Sequence, residues 1–509
     1  MIRRLCLLGL LAGVAWAAAA APASAHALLE ATEPSRGAAL DAAPREVVLR
    51  FSEPVEVEFG AVRVYDAAGK EVQQGTAFHP GDENRVVAVR LRGGLTDGGY
   101  TTTYRVISAD SHPVSGGFVF GVGKGGATSA VTVADLLDGE GSGPVTAVAF
   151  AAARALQFSA IALAVGALAI LLLVWLPTLV GLAVPGGAVT WAPASDAFAA
   201  RWRRLLVGAG ALGLASSLVA LPLQAATAAG STFWDGIGEV GTVLDTRFGT
   251  VWGLGALAWL AVLVLAVARR ATAPAVRPAT VGAAGVAVPR TGPWVAALAL
   301  PLAWLVCLPA LGGHASVQEP VAVLLPANVL HVLAASAWIG GIAVLILALP
   351  PATRRLEPPD RTRLLSAALG RFSTLALVAV AALLVGGILQ SLLELSAVDD
   401  LLDTAYGRAI AVKSALVAVL LCFGAWNRRR TLPALARGAR AGDPPGRSGV
   451  ALRRALRAEV ALGVAALAVT GALAGYSPAS VQATGPYSSS AELGPARAEL
   501  TVEPALAGP

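Results

Sequence analysis

The sequence predicts two unlike parts: an exported, small all-β domain, then an all-α multi-pass membrane domain of eight helices. Three observations predict this. Residues 1–25 have the build of a secretory signal, and residues 26–122 alternate short apolar and polar runs between turn residues. From residue 146 the chain returns again and again to apolar segments long enough for the ~20 residues that cross a bilayer. Composition agrees, because 56% of the 509 residues are hydrophobic and only 14% are charged, well away from an ordinary soluble chain.

The signal has Arg3 and Arg4 at its start, an apolar run from Leu5 to about Ala21, and the small-residue site Ala23-Ser24-Ala25. Cleavage after Ala25 makes His26 the first residue. A terminal histidine offers its α-amine and its imidazole to one metal, and such nitrogens suit Cu(II). Both must lose a proton to bind, so affinity falls at low pH.

Residues 26–122 hold "EVVLRFSEPV" (46–55), "AVRVYD" (61–66), "NRVVAVRL" (84–91), "YTTTYRVIS" (100–108) and "GGFVFGV" (116–122), punctuated by Pro80-Gly81, Gly93-Gly94 and Asp97-Gly98-Gly99. Short strands at this spacing predict a β-sandwich or barrel. Residues 123–145 read as a Gly/Ser/Thr-containing linker.

Residues 146–476 carry eight apolar segments, near 148–175, 205–228, 249–268, 293–312, 327–349, 373–394, 406–426 and 456–475. The loops alternate in charge. Arg201, Arg203 and Arg204, then Arg269 to Arg290, Arg354 to Arg371 and Arg428 to Arg457 lie on one side. Asp235, Glu239 and Asp245, then Glu319, then Glu394 to Asp403 lie on the other. The positive-inside rule then places the β-domain and the 477–509 tail outside a plasma membrane. The tail composition predicts disorder.

The net charge of +6 does not signal nucleic acid, because the arginines sit in short loops between apolar runs and form no single patch. No G-x-x-x-x-G-K-[ST] and no D-K-T-G occurs, so no nucleotide is expected to drive the protein. Cys6, Cys307 and Cys422 make no disulfide framework, and Met1 is the only methionine.

In "ISADSHPVSGGF" (107–118), Asp110 and His112 stand two apart. If the stretch is extended, both face one way. With the amine and ring of His26 they give three nitrogens and an oxygen, which fits tetragonal Cu(II). Asp110-Ser111 before Pro113 also reads as an ordinary turn, and the position of His26 favours metal. His79, in "TAFHPGDEN", reads as a turn histidine or an auxiliary ligand.

Residues 26–122 resemble the CopC family of exported copper-binding proteins. The carrying motifs are "HALLEATEPSRGAAL", "VVLRFSEPV" and "YRVISADSHPVSGGFVFGVG". The resemblance implies a Greek-key, immunoglobulin-like sandwich with Cu(II) held by His26, Asp110 and His112. Some members bind Cu(I) through a Met-rich loop; lacking methionine after Met1, this chain is expected to have no such site. The membrane part resembles the CopD family through "NVLHVLAASAWIGGIAVL" (328–345), "FSTLALVAVAALLVGGILQ" (372–390), "TAYGRAIAVKSALVAVLLCFGAWNRRR" (404–430) and "LRRALRAEVALGVAALAVTGAL" (452–473). The association implied is copper transport or copper homeostasis.

Ionisable groups at membrane depth point to function. His314, at the outer end of the fourth helix, and His331, one turn inside the fifth, are candidate copper contacts; loop and interhelix packing roles are their plain alternatives. Trp338 shares the His331 face at a spacing of seven, and packing is its default role. Lys413 is placed to pair with Glu394 or near Gln390, and Cys307 offers a thiolate or a buried apolar thiol. The expected function is capture of Cu(II) outside and passage to the membrane domain for import, without catalysis. Membrane potential favours that direction by ~2.3 kcal/mol per charge per 100 mV. Copper sequestration without transport, an oxidative copper enzyme and a haem-bearing redox protein stand as alternatives. The expected partners are copper ions and the lipid bilayer.

Overall fold

The computed structural model describes residues 27–59, 61–123, 133, 136, 141–182, 191–268, 292–478, 487–493 and 496–502. The expected signal and His26 lie outside the described residues.

The N-terminal domain is a two-sheet β-sandwich. Its strands are β1 (Leu29–Glu33), β2 (Ala39–Leu40), β3 (Glu46–Phe51), β4 (Val55–Glu56), β5 (Val62–Tyr65), β6 (Gln73–Phe78), β7 (Val86–Leu91), β8 (Gly98–Ser108) and β9 (Pro113–Val122). One sheet runs β1-β3-β7-β6; the other runs β2-β9-β8-β4, with β5 also paired to β8. Alternation decides the faces. In β3, Val47, Leu49 and Phe51 are buried while Glu46 and Arg50 are exposed. Phe51 of one sheet meets Tyr104 of the other edge-on, with ring centroids 5.6 Å apart, which closes the core between the sheets. The longest ladder is the β8–β9 hairpin, paired from Gly98↔Val122 to Ile107↔Pro113. Its closed end is therefore the Ser108–His112 turn.

Eight helices are long and apolar enough to cross a membrane among the described residues: α1 (Gly143–Leu182), α2 (Ala192–Ala229), α3 (Arg247–Ala268), α4 (Pro293–Leu311), α5 (Val321–Thr353), α6 (Pro358–Glu394), α7 (Ala405–Ala441) and α8 (Gly446–Leu473). All eight expected segments are present, most of them extended by polar ends. Helix α1 is central and packs on α2, α5 and α8. Its crossing with α5 depends on glycine: a Cβ on Gly340 would lie 1.8 Å from the Ala162 carbonyl oxygen, and one on Gly166 would lie 2.4 Å from the Gly340 backbone. Close backbone approach of this kind is how small residues hold membrane helices together. It accounts for the "WIGG" of α5.

The sandwich sits on the end of the bundle away from Arg201, Arg203 and Arg204, where α2 finishes. Arg105 of β8 donates through Nε to the Ala228 carbonyl and through Nη2 to the Thr227 carbonyl, both at 2.7 Å. Gln224 of α2 donates to the Ser111 carbonyl at 2.9 Å.

One expectation needs correction here. Residues 487–502 depart from the disorder expected of the tail, because Tyr487–Leu493 and Ala496–Val502 pair as an antiparallel hairpin. The strand-forming "AELTV" and the Gly494-Pro495 between the two runs are the sequence basis for it. Trp338 takes the packing role expected of it and does not line the His331 path. A π-helical turn at Ser336–Gly340 shifts the helical phase, so Ser336 and Ile339 face the interior cavity described below while Trp338 is buried in the helix core.

Candidate metal centre

The site begins in the β8–β9 turn. Ser111 takes a left-handed backbone (φ 73°), and the Ser108 and Ser111 amides close the turn on His112 and Ser108 carbonyls at 2.9 and 2.8 Å. Asp110 Oδ1 accepts from the His112 backbone N–H at 3.1 Å and from the Ser108 hydroxyl. The stretch is thus a turn, and strand alternation is not what brings Asp110 and His112 together. The turn itself does so, with Asp110 Oδ1 3.3 Å from His112 Nδ1.

The third member comes from the membrane domain. After α4 the chain passes Gly312-Gly313 into a single turn, His314–Ser316. A Cβ on Gly312 would crowd the Leu308 carbonyl at 3.3 Å and the Trp252 ring nitrogen at 3.4 Å. His314 Nδ1 then lies 2.8 Å from Asp110 Oδ2. The His112 and His314 rings stack, with centroids 4.9 Å apart, and Nε2 of His314 is 3.3 Å from the Tyr476 carbonyl oxygen. Donor atoms of Asp110, His112 and His314 all fall within 4.8 Å of one another.

Ligands ~2 Å from one ion stand ~2.8 Å apart at right angles and ~4 Å apart when opposite, so donor atoms already within 4.8 Å of one another need only a small contraction to close on an ion. Two imidazoles and a carboxylate suit Cu(II). Burial opposes the charge on Asp110, but the His112 and His314 rings outweigh it and hold the carboxyl well below its usual range. Burial lowers the His314 pKa, and the Asp110 carboxylate more than reverses this, so it is raised.

Sequence reasoning missed one neighbour. Glu53 is buried, and its Oε1 has no hydrogen-bond partner. Burial first, and then the Asp110 charge, push its pKa up to about 7. It is a further oxygen donor beside the cluster. The signal was present in "RFSEPV", where a carboxylate interrupts a strand end.

Below the cluster opens a cavity of about 800 Å³ whose lining includes Asp110, His112, His314, His331, Glu394 and Lys413. His331 is half-buried on α5, with Nδ1 3.2 Å from the Leu383 carbonyl oxygen. Gly387 of α6 makes room for it, since a Cβ there would lie 3.3 Å from His331 Cε1. Asn328, one turn earlier on the same face, donates to Gln390 at 2.9 Å and leaves its buried Oδ1 without a partner. Glu394 accepts from the Tyr406 hydroxyl, and both Glu394 and Lys413 line the cavity. The structure does not bring the remaining candidates together with the cluster. His79 holds the Val86 carbonyl at 2.7 Å in its own turn, and Cys307 is absent from the cavity lining.

The CopC domain family matches residues 29–123, and the family described as copper resistance protein D matches residues 366–473. The chain is 32% identical over 449 residues to the copper transport protein CutJ of Bacillus subtilis, covering 87% of this chain and 72% of that one. Protein YobA of Escherichia coli K12 is 31% identical over 98 residues, 19% of this chain and 79% of its own. Among solved structures, CopC from Methylosinus trichosporium OB3b is 32% identical, over 19% of this chain and 93% of that chain, with a TM-score of 0.18. With both domains in one polypeptide and a relative matched along most of its length, the chain belongs to the CopC–CopD family of copper resistance and transport proteins.

Proposed function

We propose that this copper-homeostasis protein captures Cu(II) outside the plasma membrane and passes it inward through the helical domain, without catalysing a reaction. One observation carries the reading: Asp110 and His112 of the sandwich meet His314 of the bundle at a cavity that reaches His331. In this reading His26, as the mature N-terminus, adds its amine and ring to the centre, and His331 with Asn328 receives the ion below. The donors along the route are nitrogen and oxygen; Cys307 and Cys422 do not line the cavity, and Met1 is the only methionine. Such a route favours the harder Cu(II) over Cu(I). The Arg-rich loops support a cytoplasmic face opposite the sandwich, so the membrane potential drives the cation inward.

The test is copper uptake by full-length protein in proteoliposomes with a negative interior potential. Uptake above protein-free vesicles, lowered by His331→Ala, is expected. Tight binding at the outer centre with no uptake would replace transport by sequestration.

A further inference from the structure

The two halves of the centre are carried by turns, not by regular elements, so something must fix their separation. Asp110 and His112 sit on a hairpin end, and His314 sits on a single turn after α4. One side chain reaches both. Arg247 is the first residue of α3. Its Nη1 donates to the Ala109 carbonyl at 2.7 Å, one residue before Asp110. Its Nη2 donates to the Leu311 carbonyl at 3.1 Å and to Ser316 Oγ at 2.6 Å, on either side of His314. Its backbone N–H donates to Glu56 Oε1 of β4 at 2.7 Å. The Arg105 and Gln224 contacts join the sandwich to α2 only, and neither touches the His314 turn.

We infer that Arg247 is the positioning residue that joins the two halves of the copper centre, holding the Asp110–His112 turn at coordinating distance from His314. This rests on the composite copper centre proposed above. A guanidinium presents several donors in a fixed plane, so it can define the distance between two loops; an ammonium is a single flexible point. Binding constellations tolerate only about 0.5 Å of looseness in their supports. With Arg247 gone, the sandwich stays attached through α2 while His314 drifts from the ion.

The test compares Cu(II) affinity, by chelator competition, and the electron paramagnetic resonance spectrum in full-length wild type, Arg247→Gln, Arg247→Lys, His314→Ala and the Arg247→Gln/His314→Ala double variant. Arg247→Gln is expected to weaken binding about tenfold and to give the His314→Ala spectrum, with Arg247→Lys intermediate. The double variant should bind no more weakly than His314→Ala alone, because Arg247 acts through His314. Additive losses, or an unchanged spectrum in Arg247→Gln, overturn the inference. Should Arg247→Gln fail to fold, Ser316→Ala removes one clamp bond and must shift the spectrum the same way; no shift overturns it. If His314→Ala alone leaves affinity and spectrum at wild-type values, the composite centre itself fails, which separates that failure from one confined to Arg247.

Discussion

Asp110 is the residue on which the centre turns, because its carboxylate is shared by two imidazoles from different domains. Its Oδ1 also fixes the turn that presents His112. Asp110→Asn keeps the shape but removes the charge, and should cost at least about tenfold in Cu(II) affinity, read by chelator competition. The pH dependence follows from the two shifts. The folded Asp110 pKa lies below its ordinary 3.8, so the pair stabilises the docked domains above that value and is lost as pH falls through the folded pKa. The folded His314 pKa lies above 6.5, so its contribution is complete below 6.5 and is lost as pH rises through the raised value. Docking without copper should therefore be firmest in mildly acidic solution. Copper must displace the His314 proton as well as those of His26, so its apparent affinity should rise with pH by up to about tenfold per pH unit for each proton displaced, and less steeply in His314→Ala. A flat profile in a titration series would contradict the assignment.

At the scale of elements, glycines decide where the functional helices can lie. Gly340 allows α1 and α5 to touch backbone to backbone, and Gly387 of α6 leaves space for the His331 ring. Gly340→Val has no room and should destabilise the bundle by about 3 kcal/mol, the upper end for overpacking, seen as a lower unfolding temperature in detergent. Gly387→Leu should displace His331 while sparing the outer centre, so Cu(II) binding persists and uptake falls. Helices were readable because long apolar runs and the alternation of loop charge are strong, additive signals. The π-turn in α5 was not readable, since Ser336–Gly340 carries no local mark of an extra residue per turn, and the phase of Trp338 was misread for that reason. The tail hairpin was hidden by a polar composition that also suits disorder.

For the whole molecule, the arrangement of the two domains is what turns separate motifs into one site. His112 and His314 are 202 positions apart and share no pattern, yet their rings stack 4.9 Å apart. Their residue types, and that both lie at one end of the bundle, were legible in the sequence. Their meeting was not, because it depends on how Arg105, Gln224 and Arg247 seat the sandwich on the bundle. Glu53 was overlooked for the same reason, since only the folded domain brings it beside Asp110. The most direct test is the ligand count of Cu(II) bound to the full-length protein, by pulsed electron paramagnetic resonance, in wild type and His314→Ala. The account predicts that the variant loses one coordinating imidazole and binds more weakly. An identical imidazole count in the two proteins would contradict a centre built across the domain boundary.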